Sequence, residues 1–187
     1  METLIQISPQ SLTGVQTEPT ATPLKSAHRG YYIYVTEACN LRCSYCFVTD
    51  KQNHNHLSDR MAVTIADFVM ADASENKDAY IHFFGGEPLI RANTVDYLAG
   101  TFRTWSRKTG ITLRLGITTN GTLLNTRNCE MLKRHQIGVQ LSLDGGKQGN
   151  DVHRQIMGGT QRGLRAAGAF EMVQIENYLE IFRRGAA

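Results

Sequence analysis

Cysteine, proline and tryptophan are scarce in this sequence, numbering four, four and one in 187 residues. So few cysteines, three of them crowded into eight residues, do not make a small disulfide scaffold. No apolar run approaches the roughly 20 residues of a membrane span, and the N-terminus has neither the basic start nor the apolar stretch of a secretory signal. Charge of one sign is lacking as well. Twenty Lys and Arg against 17 Asp and Glu leave a net charge of +3, dispersed along the chain. That balance argues against nucleic acid and against a membrane surface as partners. A cytoplasmic, reducing setting is the default, and there a tight group of cysteines reads as a metal or redox site.

What is present suffices for one core: 41% of the residues are hydrophobic, and the length fits a single domain. The first 27 or so residues are rich in Thr, Ser, Gln and Pro and read as a flexible tail, so the chain divides into a tail over 1–30 and a folded unit over 31–187. From there strand-like and helix-like runs alternate. "YYIYVT" (31–36) precedes "LSDRMAVTIADFVMADA" (57–73), in which Ser58 is the expected N-cap and Met61, Ile65, Phe68 and Val69 recur at helical spacing. "AYIHFF" (79–84) precedes a helix over 92–107 carrying Val95, Leu98, Phe102 and Trp105. "ITLRLGITT" (111–119) and an "NG" turn precede a helix over 125–135. "IGVQLSLD" (137–144) opens a fourth unit, followed by a Gly-rich loop and a closing apolar-periodic segment through Ile175, Tyr178, Leu179 and Phe182. Four strand-then-helix units in series predict an α/β fold with a parallel sheet and right-handed crossovers, either open or curved toward a barrel.

In such architectures ligands bind at the carboxyl ends of the strands, where the strand-to-helix loops gather. The loops after all four predicted strands hold the unusual residues: "EACNLRCSYCF" (37–47), "GGEP" (85–88), "TNG" (119–121) and "DGGKQGNDVHR" (144–154). The first places Cys39, Cys43 and Cys46 in one short loop, far from the fourth cysteine, Cys129. Four thiolates saturate a zinc ion or a four-iron cube. Three leave one corner open to a small molecule. On the residues alone two further readings stand, a half zinc site completed by His54 or His56 and a set of plain buried thiols.

"CNLRCSYCF" carries the C-x3-C-x2-C signature of the radical S-adenosylmethionine (radical SAM) superfamily, which the chain resembles from about Tyr31 to Arg154. "GGEP", "TNG" and "LSLDG" match the superfamily's later motifs in order. With "NDVHR" after "SLDG", the set is most similar to the branch that modifies peptides and proteins, which includes anaerobic sulfatase-maturating enzymes and SPASM-type maturases. The resemblance implies a partial (β/α) barrel with about four of six units present. It also implies a [4Fe–4S] cluster held by Cys39, Cys43 and Cys46, with S-adenosylmethionine chelating the fourth iron. Reductive cleavage to a 5′-deoxyadenosyl radical would then serve to modify a peptide or protein side chain, with electrons from a reducing donor.

Individual roles follow from the same resemblance. Gly85 and Gly86 let the backbone approach the ligand, Glu87 accepts from its ammonium group, and Tyr45 lies near the adenine. Asn120 and Ser142 offer neutral hydrogen-bonding groups, Arg154 offers a fork for a carboxylate, and Asp144 either orients the loop or contacts the ligand. Structural alternatives stand beside these. The glycines and the Asn-Gly pair also suit ordinary turns, and Glu87 and Arg154 also suit solvated surface. "HNH" (54–56) reads as a polar loop, His82 as either a barrel-interior residue or a satisfied core histidine, and Cys129 as a packed thiol.

The pattern departs from the superfamily beyond Arg154, where the match is loose and no cysteine remains for auxiliary clusters. A sheet ending at "IGVQLSLD" presents an open edge. The expectation is therefore a fragment, a truncated chain or one part of an assembly whose partner chain completes the barrel. A non-catalytic remnant or interaction module that keeps the cluster loop is the alternative to an enzyme.

Overall fold

Period-two alternation in the strands decides which face of the sheet is covered. Ile33, Val35, Ile81, Phe83, Leu113, Leu115 and Ile117 point to one side and are buried, whereas Tyr32 and Tyr34, on the other side of their strand, are 68% and 47% exposed. The computed structural model describes residues 28–48 and 55–156. Its elements run β1 (His28–Thr36), α1 (Asp59–Asp72), β2 (Asp78–Gly85), a 3₁₀ turn (Pro88–Arg91), α2 (Ala92–Thr109), β3 (Thr112–Thr119), α3 (Thr126–Arg134), β4 (Ile137–Leu141) and α4 (Lys147–His153).

The four strands form one sheet in the order β1-β2-β3-β4, and every neighbouring pair is parallel. The helices of the first three units contribute to a single hydrophobic core against one face of the sheet. On α2 the expected Val95, Leu98 and Phe102 are buried, together with Thr94 and Ala99, and Trp105 is partly buried against the core. Arg103 of the same helix locks the layers together, donating to the carbonyls of Leu113, His135 and Gln136 at 3.0, 2.7 and 2.9 Å.

Several local expectations change. His28, Arg29 and Gly30 already belong to β1, so the sheet begins inside the expected tail. Ser58 does cap α1, its hydroxyl accepting from Met61 N–H at 3.2 Å. Of the expected stripe on α1, Val69 is buried and Ile65 packs against the core, but Met61 and Phe68 are 50% and 65% exposed, and Ala62 and Ala66 face inward in their place. The strands beneath already supply the bulky side chains, so small residues let the helix approach. β4 ends at Leu141, three residues before the expected Asp144. The expected Gly-rich loop winds into α4, which buries Asn150 completely. The apolar segment at 175–182 lies outside the described residues. Among the described residues no helix is long and apolar enough to cross a membrane.

Candidate functional site

The loop after β1 is seated on the loop after β2 by backbone contacts that exclude any side chain. Gly86 N–H donates to Thr36 O and Glu87 N–H to Ala38 O, each at 2.8 Å. A Cβ at Gly86 would stand 2.3 Å from Ala38 O, and one at Gly85, whose φ is +146°, would stand 2.2 Å from Thr36 O. The close approach expected of these glycines is therefore made to the cysteine loop, with both residues also lining the cavity described below.

A second tie comes from the loop after β3. The Asn120 side-chain NH2 donates to Asn40 Oδ1 at 2.9 Å and lies 3.9 Å from Cys39 Sγ, while Asn120 Oδ1 accepts from the Thr122 N–H and hydroxyl at 3.0 and 2.7 Å. Asn40 in turn donates to Thr122 Oγ1 at 2.7 Å. Leu41 N–H faces Cys39 Sγ at 3.4 Å. Asn120 thus fastens the cysteine loop, with both ends of its amide engaged.

Glu87 binds these loops from below. Its carboxylate accepts from Leu89 N–H and the Thr119 hydroxyl on Oε1, at 3.0 and 2.8 Å, and from Asn120 N–H on Oε2 at 2.8 Å. Burial pushes its carboxyl up from the usual range, and the three hydrogen bonds pull against that rise. Glu87 has no exposed surface. In place of the expected contact with a ligand ammonium group, its carboxylate meets internal donors, and it does not line the cavity.

Above this platform lies a cavity of about 190 Å³. Cys39, Cys43, Cys46, Tyr45, Gly85, Gly86, Asn120, Ser142 and Arg154 all line it. Nine of the eleven residues singled out in the sequence therefore meet in one place, and Glu87 and Asp144 support it from outside. Larger hollows, of about 860 and 870 Å³, lie among the helices and hold no cysteine. The sequence reading missed Phe47 and Phe84, whose rings stack 4° from parallel with centroids 6.4 Å apart on the cavity wall. Their positions directly after Cys46 and directly before Gly85 were the available signal.

The three cysteines are half-buried and form no disulfide among the described residues. Among the described residues no group of three or more His, Cys, Asp or Glu is arranged to hold a single metal ion. A zinc ion needs all its ligands within about 2.3 Å of one point, whereas a cube accepts one thiolate per iron at separate corners. His56 is engaged elsewhere, its Nδ1 pairing with Thr36 Oγ1 at 2.7 Å, and His54 lies outside the described residues. Arg154 supplies the complementary feature: it lines the cavity, and among the described residues its buried Nε–H has no hydrogen-bond partner. Three thiols and an unpartnered guanidinium N–H suit an iron–sulfur cluster beside a ligand that carries a carboxylate.

Asp144 holds Arg154 at 3.0 Å and accepts from the Tyr45 hydroxyl. Arg154 and Tyr45 lower the Asp144 carboxyl below the usual range. Burial and the Asp144 carboxylate push the Tyr45 phenol up to about 12, so it stays a donor. Cys129 is a packed thiol in α3, donating to Leu124 O at 3.3 Å and pushed up to about 11 by burial.

Residues 33–178 match the profile of the radical SAM superfamily, most of the chain. The chain belongs to the radical SAM superfamily. Among curated radical SAM relatives, the serine-type anaerobic sulfatase-maturating enzyme of Klebsiella aerogenes is 30% identical over 119 residues, covering 63% of this chain and 29% of that protein. The GTP 3′,8-cyclase of Chlorobaculum tepidum is 34% identical over 112 residues, covering 60% and 32%. A solved structure of native anSMEcpe with bound AdoMet and Cp18Cys peptide superposes with a TM-score of 0.67 at 24% identity, covering 84% of this chain and 40% of that one. That likeness establishes the radical SAM fold for the four-stranded sheet. The chain spans well under half the length of these relatives.

Proposed function

We propose that this chain is the cofactor-binding part of a radical SAM enzyme that modifies a peptide or protein side chain. The observation that carries the proposal is the convergence of Cys39, Cys43 and Cys46 on the same cavity as Arg154, Asn120 and the Gly85-Gly86 turn. Cys39, Cys43 and Cys46 would hold a [4Fe–4S] cluster, and the cavity beside them would take S-adenosylmethionine. When bound and reduced, the cluster supplies the electron that cleaves S-adenosylmethionine to methionine and a 5′-deoxyadenosyl radical.

The protein's own residues bind and enclose. Arg154, which lines the cavity, would offer its guanidinium to a carboxylate. Tyr45, Phe47 and Phe84 line the cavity and would present ring surface to the adenosyl portion. Asn120 and Glu87 act through the loops, fixing Cys39 and the glycine turn relative to each other. The motif order and the similarity to sulfatase-maturating enzymes favour a peptide substrate over the nucleotide substrate of the cyclases.

Anaerobic reconstitution with iron and sulfide, followed by reduction and incubation with S-adenosylmethionine, tests the proposal by mass spectrometry of 5′-deoxyadenosine. Cleavage above a cluster-free control is expected. A chain that loads iron and yields no 5′-deoxyadenosine would instead be the non-catalytic remnant.

A further inference from the structure

The cysteine loop is clasped from the side by a distant segment. Ser44 N–H donates to His153 O at 3.0 Å, Arg42 N–H donates to Gln155 O at 2.7 Å, and Leu41 forms an antiparallel bridge with Ile156. Ser44 Oγ pairs with His153 Nδ1 at 2.9 Å, and the His153 ring meets the Tyr45 ring edge-on at 5.9 Å. One carboxylate sits at the centre. Asp144 accepts from the Tyr45 hydroxyl on Oδ2 and from Arg154 on Oδ1 at 3.0 Å, and the Arg154 guanidinium lies over the Tyr45 ring at 5.5 Å. Both partners of Asp144 line the cavity, and Asp144 does not.

We infer that Asp144 is a positioning residue that fixes Tyr45 and Arg154 as one wall of the cavity, tying the cysteine loop to the group that receives the ligand carboxylate. The inference rests on the reading of the cavity as an S-adenosylmethionine site. A long guanidinium side chain loses rotamer freedom when it grips a ligand, and that loss weakens binding. Held beforehand by a carboxylate and a ring face, Arg154 has already lost it. Removing the shared acceptor frees Tyr45 and Arg154 together, and because the Asp144 side chain is 32% exposed, the core is left intact.

The test compares wild type with Asp144→Asn and Asp144→Glu. In the chain without cofactors, amide exchange over residues 41–47 should accelerate about tenfold in Asp144→Asn and recover in Asp144→Glu. In the reconstituted chain, Asp144→Asn should keep its iron content while its Kd for S-adenosylmethionine, by equilibrium dialysis, rises about tenfold, as expected for losing a hydrogen bond to a charged group. Unchanged exchange would overturn the clasp whatever the cofactor does. Faster exchange with an unchanged Kd would overturn the positioning role. Wild type that loads iron and binds no S-adenosylmethionine would sink the cofactor reading and the role built on it, with the exchange data still deciding whether Asp144 clasps the loop.

Discussion

The Asn120 backbone N–H donates to Glu87 Oε2 at 2.8 Å, joining the loops after β2 and β3 through a carboxylate with no exposed surface. Both loops also touch the cysteine loop, Glu87 N–H at Ala38 O and the Asn120 side chain at Asn40. Disturbing one carboxylate therefore disturbs all three. In Glu87→Gln an amide NH2 replaces one acceptor and confronts an N–H or hydroxyl donor. Leaving such a buried donor unpaired costs about 1–3 kcal/mol. Chemical denaturation should show a loss of that size, with iron loading reduced in parallel.

Gly86→Ala should harm the site more directly. The new methyl would meet Ala38 O at 2.3 Å and Glu37 O at 2.6 Å, and these are backbone atoms with no rotamer to change. The cysteine loop must move away from the sheet. Overpacking of this kind costs about 1–3 kcal/mol, and the iron bound per chain after reconstitution should fall well below wild type.

His82 gives the fold a pH dependence. It is buried with its two ring nitrogens on Tyr80 OH and Thr118 Oγ1 at 2.5 and 2.7 Å, and burial holds its pKa below the ordinary 6.5. The folded state thus prefers neutral imidazole. The stability His82 contributes is complete above about pH 6.5 and is lost as pH falls through its depressed folded pKa. Melting temperature should decline over that acidic range in wild type, and the decline should be shallower in His82→Gln.

Local signals were legible in the sequence and long-range ones were not. The spacing of Cys39, Cys43 and Cys46, the Ser58 cap and the alternation in the strands each lie within a few residues, where covalent geometry fixes who can meet whom. The α1 stripe held at Ile65 and Val69 and failed at Met61 and Phe68 because the buried face of a helix depends on what it packs against: above Ile33, Val35, Ile81 and Phe83 the fitting residues include Ala62 and Ala66. α4 was hidden because "KQGNDVH" contains Gly, Asn and Asp, all weak helix formers. Glu87 with Asn120 and Tyr45 with Asp144 are separated by 33 and 99 positions. One sequence carries no trace of such pairings.

The cysteines divide by role. Cys43→Ala removes one of three thiols on the cavity and should abolish stable iron loading. Cys129→Ser is the control, since its hydroxyl can still donate to Leu124 O within α3. Iron content of the two variants, measured side by side after reconstitution, should separate them by several-fold.

Electron paramagnetic resonance of the reconstituted, reduced chain, recorded before and after adding S-adenosylmethionine, tests the central claim most directly. A cluster held by Cys39, Cys43 and Cys46 leaves one iron open beside the cavity, so the predicted result is a reduced [4Fe–4S] signal whose g values shift when S-adenosylmethionine is added. A signal unmoved by S-adenosylmethionine, or a chain that takes up zinc and no iron, would contradict it.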